Sequence, residues 1–229
     1  MGGMGRKETL YMSEYEYVSK SEYAPVRKEL EQIINRVQVY MRKNDGLTFQ
    51  FRLIGSGQRH LVTRIKGGNR GYDFDYNLIL TPPGDGYRYI AKAIKDKFMT
   101  ALKVALQGTK YSFPQDSTSS ITIKVYDKGK TKIEHSCDFA IIYYGSNDGI
   151  DGYYFLRNHK PQQSYQFTFR PSNFDIDEKV QEIIADDGWP YIREEYLLLK
   201  NINEGKMKKP SFSLYAEAVN NVYNQMYYQ

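Results

Sequence analysis

The chain has 229 residues, 41% of them hydrophobic and 26% charged, with a formal charge of +5. That length supports one sizeable core, or a catalytic domain with a smaller helical appendage, and the composition is that of a soluble globular protein. One cysteine, Cys137, excludes an internal disulfide framework, His60, His135 and His159 are too scattered for a zinc signature, and no apolar run reaches the roughly 18 residues that span a bilayer.

Residues 1–11 lack the apolar core of a signal peptide, so a flexible lead over residues 1–20, a cytoplasmic location and no membrane partner are expected. Residues 21–43 read as a helix. Tyr23, Val26, Leu30, Ile33, Ile34, Val37 and Met41 recur at three and four, giving one apolar face, and Asn44, Asp45 and Gly46 end it. A strand is predicted over 47–54. Residues 55–71 form a polar loop rich in glycine and cations. A second strand follows over 72–80, a Pro/Gly turn over 81–86, and a helix over 87–107. Two strands, 120–126 and 132–144, flank a hairpin-type turn at Asp127, Lys128, Gly129 and Lys130. Residues 145–152 read as a loop, with short strands at 153–156 and 165–169. Beyond 173 the pattern is helical, broken near Gly188, Trp189 and Pro190 and again over 205–210. The order argues for an α+β or mixed-sheet domain, residues 21–172, followed by a C-terminal helical region, 173–229. Many of the 22 tyrosines fall in the strand-like stretches, where aromatics pack well on a pleated surface.

Chemistry concentrates between Phe51 and Leu80. Side chains two apart on a strand share a face, so Asp73 and Asp75 project together while Tyr72, Phe74 and Tyr76 point the other way. Two carboxylates on one face repel, and a divalent ion with a taste for hard oxygen ligands relieves that repulsion. Upstream, Gly55, Ser56 and Gly57 combine close backbone approach with a hydroxyl, which suits phosphate. Asp138 is a third carboxylate, set in the apolar strand around Cys137, Phe139, Ala140, Ile141 and Ile142, where burial would demand a partner: a cation of the chain or the same metal cluster.

Gly55-Ser56, then Asp73-Phe74-Asp75 on one strand, then Asp138 on a later one, resembles the DNA polymerase beta-like nucleotidyltransferases, over roughly residues 21–144. That superfamily includes antibiotic nucleotidyltransferases, CCA-adding enzymes, oligoadenylate synthetases and cyclic-dinucleotide synthases. The resemblance implies a nucleotidyltransferase-type mixed sheet flanked by helices and two Mg²⁺ (or Mn²⁺) ions held by Asp73, Asp75 and Asp138. It also implies a nucleoside triphosphate cradled by Gly55 and Ser56, with Asp138 serving the ion that activates the attacking hydroxyl. Sixteen residues separate Ser56 from Asp73, more than the superfamily's usual gap. The extra stretch carries Arg59, Arg64, Lys66 and Arg70, read either as phosphate partners or as a solvated surface loop. Lys200, Lys206, Lys208 and Lys209 make the tail locally basic, which fits a nucleotide or RNA acceptor as well as an ordinary solvated face. The chain is shorter than the cyclic-dinucleotide synthases it resembles, so a small standalone transferase fits equally. The competing reading is a catalytically inactive nucleotide- or nucleic-acid-binding protein of the same fold.

Overall fold

A three-residue strand, β1 (Tyr15–Tyr17), leads into the first helix. Ser19 caps that helix by accepting the Glu22 N–H at 3.2 Å, satisfying one of the open donors of the first turn. The helix, α1 (Lys20–Asp45), stops where Gly46 adopts φ 62° and turns its N–H back to the Met41 carbonyl. The computed structural model describes residues 14–84, 87–172, 175–203 and 208–228. Most of the expected lead (1–13), the end of the turn at Asp85 and Gly86, and Lys206 lie outside the described residues.

Where a loop was expected after residue 54, the chain keeps regular structure. β2 (Phe49–Ile54) passes straight into a single helical turn, α2 (Gly55–Gln58), and a short strand, β3 (Thr63–Ile65), precedes β4 (Arg70–Leu80). The helix α3 (Ala91–Ala105) is shorter at its start than its periodicity suggested. β5 (Gln115–Asp116) and β6 (Ile121–Tyr126) follow, then a 15-residue strand, β7 (Ile133–Asn147). Residues 145–152 are not a loop. Asp148 and Gly149 take φ 51° and 78°, and this two-residue turn folds β7 directly onto β8 (Ile150–His159). Asp-Gly with both residues in the left-handed region matches the twist of a hairpin, a signal the sequence carried. β9 (Ser164–Pro171) completes the sheet.

The strand order is β2-β4-β7-β6-β5, with β8 added to β7 and β9 to β8. β4 and β7 are parallel; the other pairs in this sheet are antiparallel. Apolar residues of α1 (Leu30, Ile33, Val37), α3 (Phe98, Leu102), β4 (Phe74, Tyr76) and β7 (Cys137, Phe139) form one buried core. Helices thus cover one sheet face, and alternation along β4 and β7 leaves the aspartates on the other. This is the α+β mixed sheet flanked by helices that the sequence implied.

His135 is buried in the covered face, its ring stacked on Tyr72 with centroids 5.7 Å apart and its Nε2 3.2 Å from the Tyr111 hydroxyl. Burial first, then the charge of Lys110, pulls its pKa down to about 4. The folded value lies below the unfolded one, so stability is intact above about pH 6.5 and is lost as pH falls toward 4. A shift of this size corresponds to about 3 kcal/mol at the acid end. His135→Phe, which cannot protonate, should flatten that decline in urea denaturation at pH 7 and 4.5. An equal acid loss in both proteins would count against a buried neutral imidazole.

The chain divides into two compact units. One spans Tyr17–Asn173; the second comprises the C-terminal helices and the described residues before Tyr17. In the second unit, α4 (Asp175–Ala185), α5 (Trp189–Ile202) and α6 (Ser211–Tyr227) bury Ile183, Ile192, Tyr196, Leu214, Ala218 and Val222. The break at Gly188 falls where expected, with proline in the first turn of α5. The Tyr15 N–H donates to Asn201 Oδ1 at 2.6 Å, tying β1 to α5. Of the tail lysines, Lys200 donates to Ser211 at 3.0 Å and Lys209 pairs with Glu217 at 2.7 Å. No described helix is long and apolar enough to cross a membrane.

Candidate active site

β4 and β7 set the carboxylates side by side. In their parallel register Asp75 lies opposite Asp138, and Asp73 opposite Ser136. Tyr72, Phe74 and Tyr76, which alternate with the aspartates of β4, are buried, and so are His135, Cys137 and Phe139, which alternate with Ser136 and Asp138 on β7. Asp73, Asp75 and Asp138 therefore emerge on the same open face although the third is more than sixty residues downstream.

The turn after β2 closes on this group. Ile54 is the register partner of Asp75, so Gly55 begins beside the carboxylate. Gly55 has φ 64°, and a Cβ there would stand 2.9 Å from Asp75 Oδ2. Only glycine combines that backbone with that proximity. Gly57 is equally confined, since its Cβ would meet Leu53 and Phe74 at 3.0 Å.

Each outer carboxylate is held by hydroxyls. Asp73 accepts from Ser136 Oγ. Asp138 Oδ1 accepts from Ser120 Oγ at 3.1 Å and from Thr122 Oγ1. Asp75 sits between them in a less solvated position. Burial, then the charge of Asp138, then that of Asp73, raises its pKa to about 6. Asp75 flanked by two further carboxylates, with Gly55 packed against it, offers hard oxygen donors of the kind Mg²⁺ or Mn²⁺ takes. Among the described residues, no three acidic, histidine or cysteine side chains are spaced so that together they could hold a metal ion as they stand.

A cavity of about 250 Å³ opens over Asp75 and Asp138. Ser119 and Ser120 form part of its wall, and Tyr153, Phe155 and Arg170 form another part. The Arg170 guanidinium lies 4.1 Å from the Phe155 ring centroid, a cation–π contact that holds both in place. Sequence reasoning missed these residues, together with Ser120, Thr122 and Ser136. The period-two pattern would have found Ser136, two residues before Asp138, but the others reach the site only through strand pairing.

The four cations of the glycine-rich stretch separate. Arg59 immediately follows the Gly55 turn, and Lys66 lies in the β3–β4 turn. Arg64 pairs with Glu22. Arg64 and Arg70 line a second cavity of about 450 Å³, with Tyr72 and His135. Those two residues belong to the sheet face opposite the aspartates.

No protein-family model and no curated protein sequence matches the chain. Solved structures do, and they share this chain's nucleotidyltransferase-type fold. A Bradyrhizobium diazoefficiens CD-NTase, CdnG, in complex with GTP aligns over 90% of this chain and 66% of its own, at 15% identity and TM-score 0.58. The Vibrio cholerae cyclic AMP-GMP synthase DncV, a prokaryotic cGAS homolog, aligns over 93% and 69%, at 12% identity and TM-score 0.62. An Escherichia coli CdnC with ATP aligns over 92% and 63%, at 16% identity and TM-score 0.50. The chain thus spans about two thirds of the length of the structures it matches.

Proposed function

We propose that this chain is a metal-dependent nucleotidyltransferase that transfers a nucleoside monophosphate from a nucleoside triphosphate to a hydroxyl acceptor and releases pyrophosphate. The observation that carries this reading is the pairing of Asp75 with Asp138 on adjacent parallel strands, with Gly55 packed against Asp75. The fold's likeness to GTP- and ATP-bound CD-NTases supports it.

Asp73 and Asp75 would hold both ions and Asp138 the one on the acceptor side. When bound, the ions supply charge neutralisation at the entering and leaving oxygens of the displacement. Gly55 and Ser56 would hold the triphosphate through a backbone N–H and a hydroxyl, with Arg59 beside them. The acceptor oxygen bonds to the α-phosphorus as the bond from that phosphorus to the β-phosphate oxygen breaks, and the electron pair leaves with pyrophosphate. Asp138 takes the acceptor's proton. Tyr153, Phe155 and Arg170 offer an aromatic and cationic wall suited to a nucleobase. A nucleotide or RNA fits the acceptor role. The retained trio of carboxylates speaks against an inactive binding protein of the same fold.

The test is incubation with each labelled triphosphate and Mg²⁺ or Mn²⁺, following pyrophosphate release and nucleotide products, with Asp75→Asn alongside. Metal-dependent product formed by the parent alone is expected. Product from both proteins would refute the site. Metal affinity should also follow the proton. Asp75 with a pKa of about 6 must ionise to bind a cation, so Mn²⁺ affinity should weaken about tenfold per pH unit below that value. Flat affinity from pH 7 to 5, read by calorimetry, would remove Asp75 from the ligand set.

A further inference from the structure

Lys95 is the only buried lysine or arginine among the described residues, 2% exposed on α3. Burying an ammonium is costly, and hydrophobic replacements of buried ion pairs are often as stable, so its presence calls for a reason beyond stability. Its Nζ reaches both ends of one turn, the segment 116–120 that joins β5 to β6. It lies 2.8 Å from Asp116 Oδ1 and donates to the Ser120 carbonyl at 2.9 Å. Asp116 Oδ2 is fixed from the other side by Asn158 Nδ2 at 2.8 Å and the Tyr165 hydroxyl at 2.6 Å. The Asn158 N–H donates to the Thr118 carbonyl at 2.7 Å, and the Ser117 N–H to the Ser120 carbonyl at 3.1 Å. The turn is therefore clamped from α3, β8 and β9 together.

This turn ends in the hydroxyls that hold Asp138. Ser120 Oγ donates to Asp138 Oδ1 at 3.1 Å, Thr122 Oγ1 donates to the same oxygen, and Ser117 Oγ lies 2.9 Å from Thr122 Oγ1. Both hydroxyls engage Oδ1, leaving Oδ2 outside these bonds.

We propose that Lys95, together with Asp116, is a positioning residue for Asp138: it clamps the 116–120 turn so that Ser120 and Thr122 fix the carboxylate in one orientation before a divalent cation arrives. The inference rests on the metal-centre reading above. Preorganising a ligand through its hydrogen-bond partners strengthens metal binding, and losing such partners typically weakens it 10–100-fold. Lys95 acts at one remove, through Ser120, so an effect near tenfold is expected.

The test is Mn²⁺ affinity, measured by electron paramagnetic resonance on the full chain, with thermal melts to establish folding. The double variant Lys95→Met/Asp116→Asn removes both charges and strands neither. It should melt above the assay temperature and bind Mn²⁺ about tenfold more weakly. Ser120→Ala should weaken binding similarly, and combining all three changes should add little, because Lys95 works through Ser120. A folded double variant with parental affinity overturns the proposal, and so does full additivity with Ser120→Ala. Should the double variant fail to fold, Tyr165→Phe decides, because it removes one bond to Asp116 and leaves both charges paired: at least twofold weaker binding supports the clamp, and unchanged binding overturns it. Asp75→Asn serves as the separate control. If it retains parental Mn²⁺ affinity, the metal centre itself is wrong, whatever Lys95 does.

Discussion

Asp75→Asn should abolish nucleotide transfer, by at least about a thousandfold, while making the ion-free protein more stable. On the proposed function, the catalytic loss follows from removing the central carboxylate of the trio, whose contribution would be felt in the transition state. The stability gain follows from the charges around it. Its pKa is raised to about 6 by burial and by two neighbouring carboxylates. The folded state therefore disfavours the ionised form, and above pH 6 that costs up to about 3 kcal/mol relative to acid. Asparagine never ionises. The melting temperature of the variant in chelator should exceed the parent's by several degrees at pH 7.5, and the gap should close as pH falls from 6 to 4. His135 acts in the opposite sense over an overlapping range, so the parent's own acid profile mixes the two; the difference between variant and parent isolates Asp75. A variant less stable than the parent at pH 7.5 in chelator would sink the repulsion argument even if activity is lost.

Gly71→Ala should be the most destabilising single methyl in the sheet, by about 4 kcal/mol or more. A Cβ at Gly71 would lie 1.7 Å from the Glu134 carbonyl oxygen and 2.3 Å from its carbon. Those atoms are backbone of β7, so relief requires the parallel pair to separate rather than a side chain to rotate. Two residues further on is Asp73, so any separation also moves the carboxylates. The expected result is insoluble protein or a large drop in the urea midpoint. Gly67→Ala, where no atom lies within 4 Å but φ is 68°, gives a strain-only comparison of about 1 kcal/mol. Equal stabilities for the two variants would contradict the close approach of β4 and β7.

The sequence made Asp73 and Asp75 legible because a strand's two-residue period is local information. The apolar run around Asp138 marked it as anomalous for the same reason. What no local pattern contains is register: that Asp75 faces Asp138, or that Ser120 and Thr122 lie against it, is decided by pairing between distant strands. The Gly55 turn was legible as a phosphate-type sequence, but its closeness to Asp75 was not. The stretch 55–71 misled because glycines and cations suggest loop, while α2 and β3 draw their regularity from packing at Gly57, Leu61 and Val62. Asp148-Gly149 is a local hairpin signal, but it stands among polar residues that by themselves read as a loop. Lys95 looked like an ordinary helix lysine, and nothing near it in the chain announces a partner at Asp116.

The parallel pairing of β4 with β7 also sets a timetable for the ribosome. Ser136 lies 63 residues beyond the Asp73 it bonds to. At roughly 5–20 residues per second, about three to thirteen seconds of synthesis separate them. Throughout that interval β4 can pair with β2, already made, but its other edge has no partner and its aspartates no opposite strand. That open edge is apolar on alternate positions and is the kind of template on which nascent chains misassociate. Lowering the translation rate between residues 80 and 133 lengthens the exposure. Soluble yield should therefore respond to codon usage in that interval more than in the segment encoding α4–α6, where each helix meets its partners soon after it emerges.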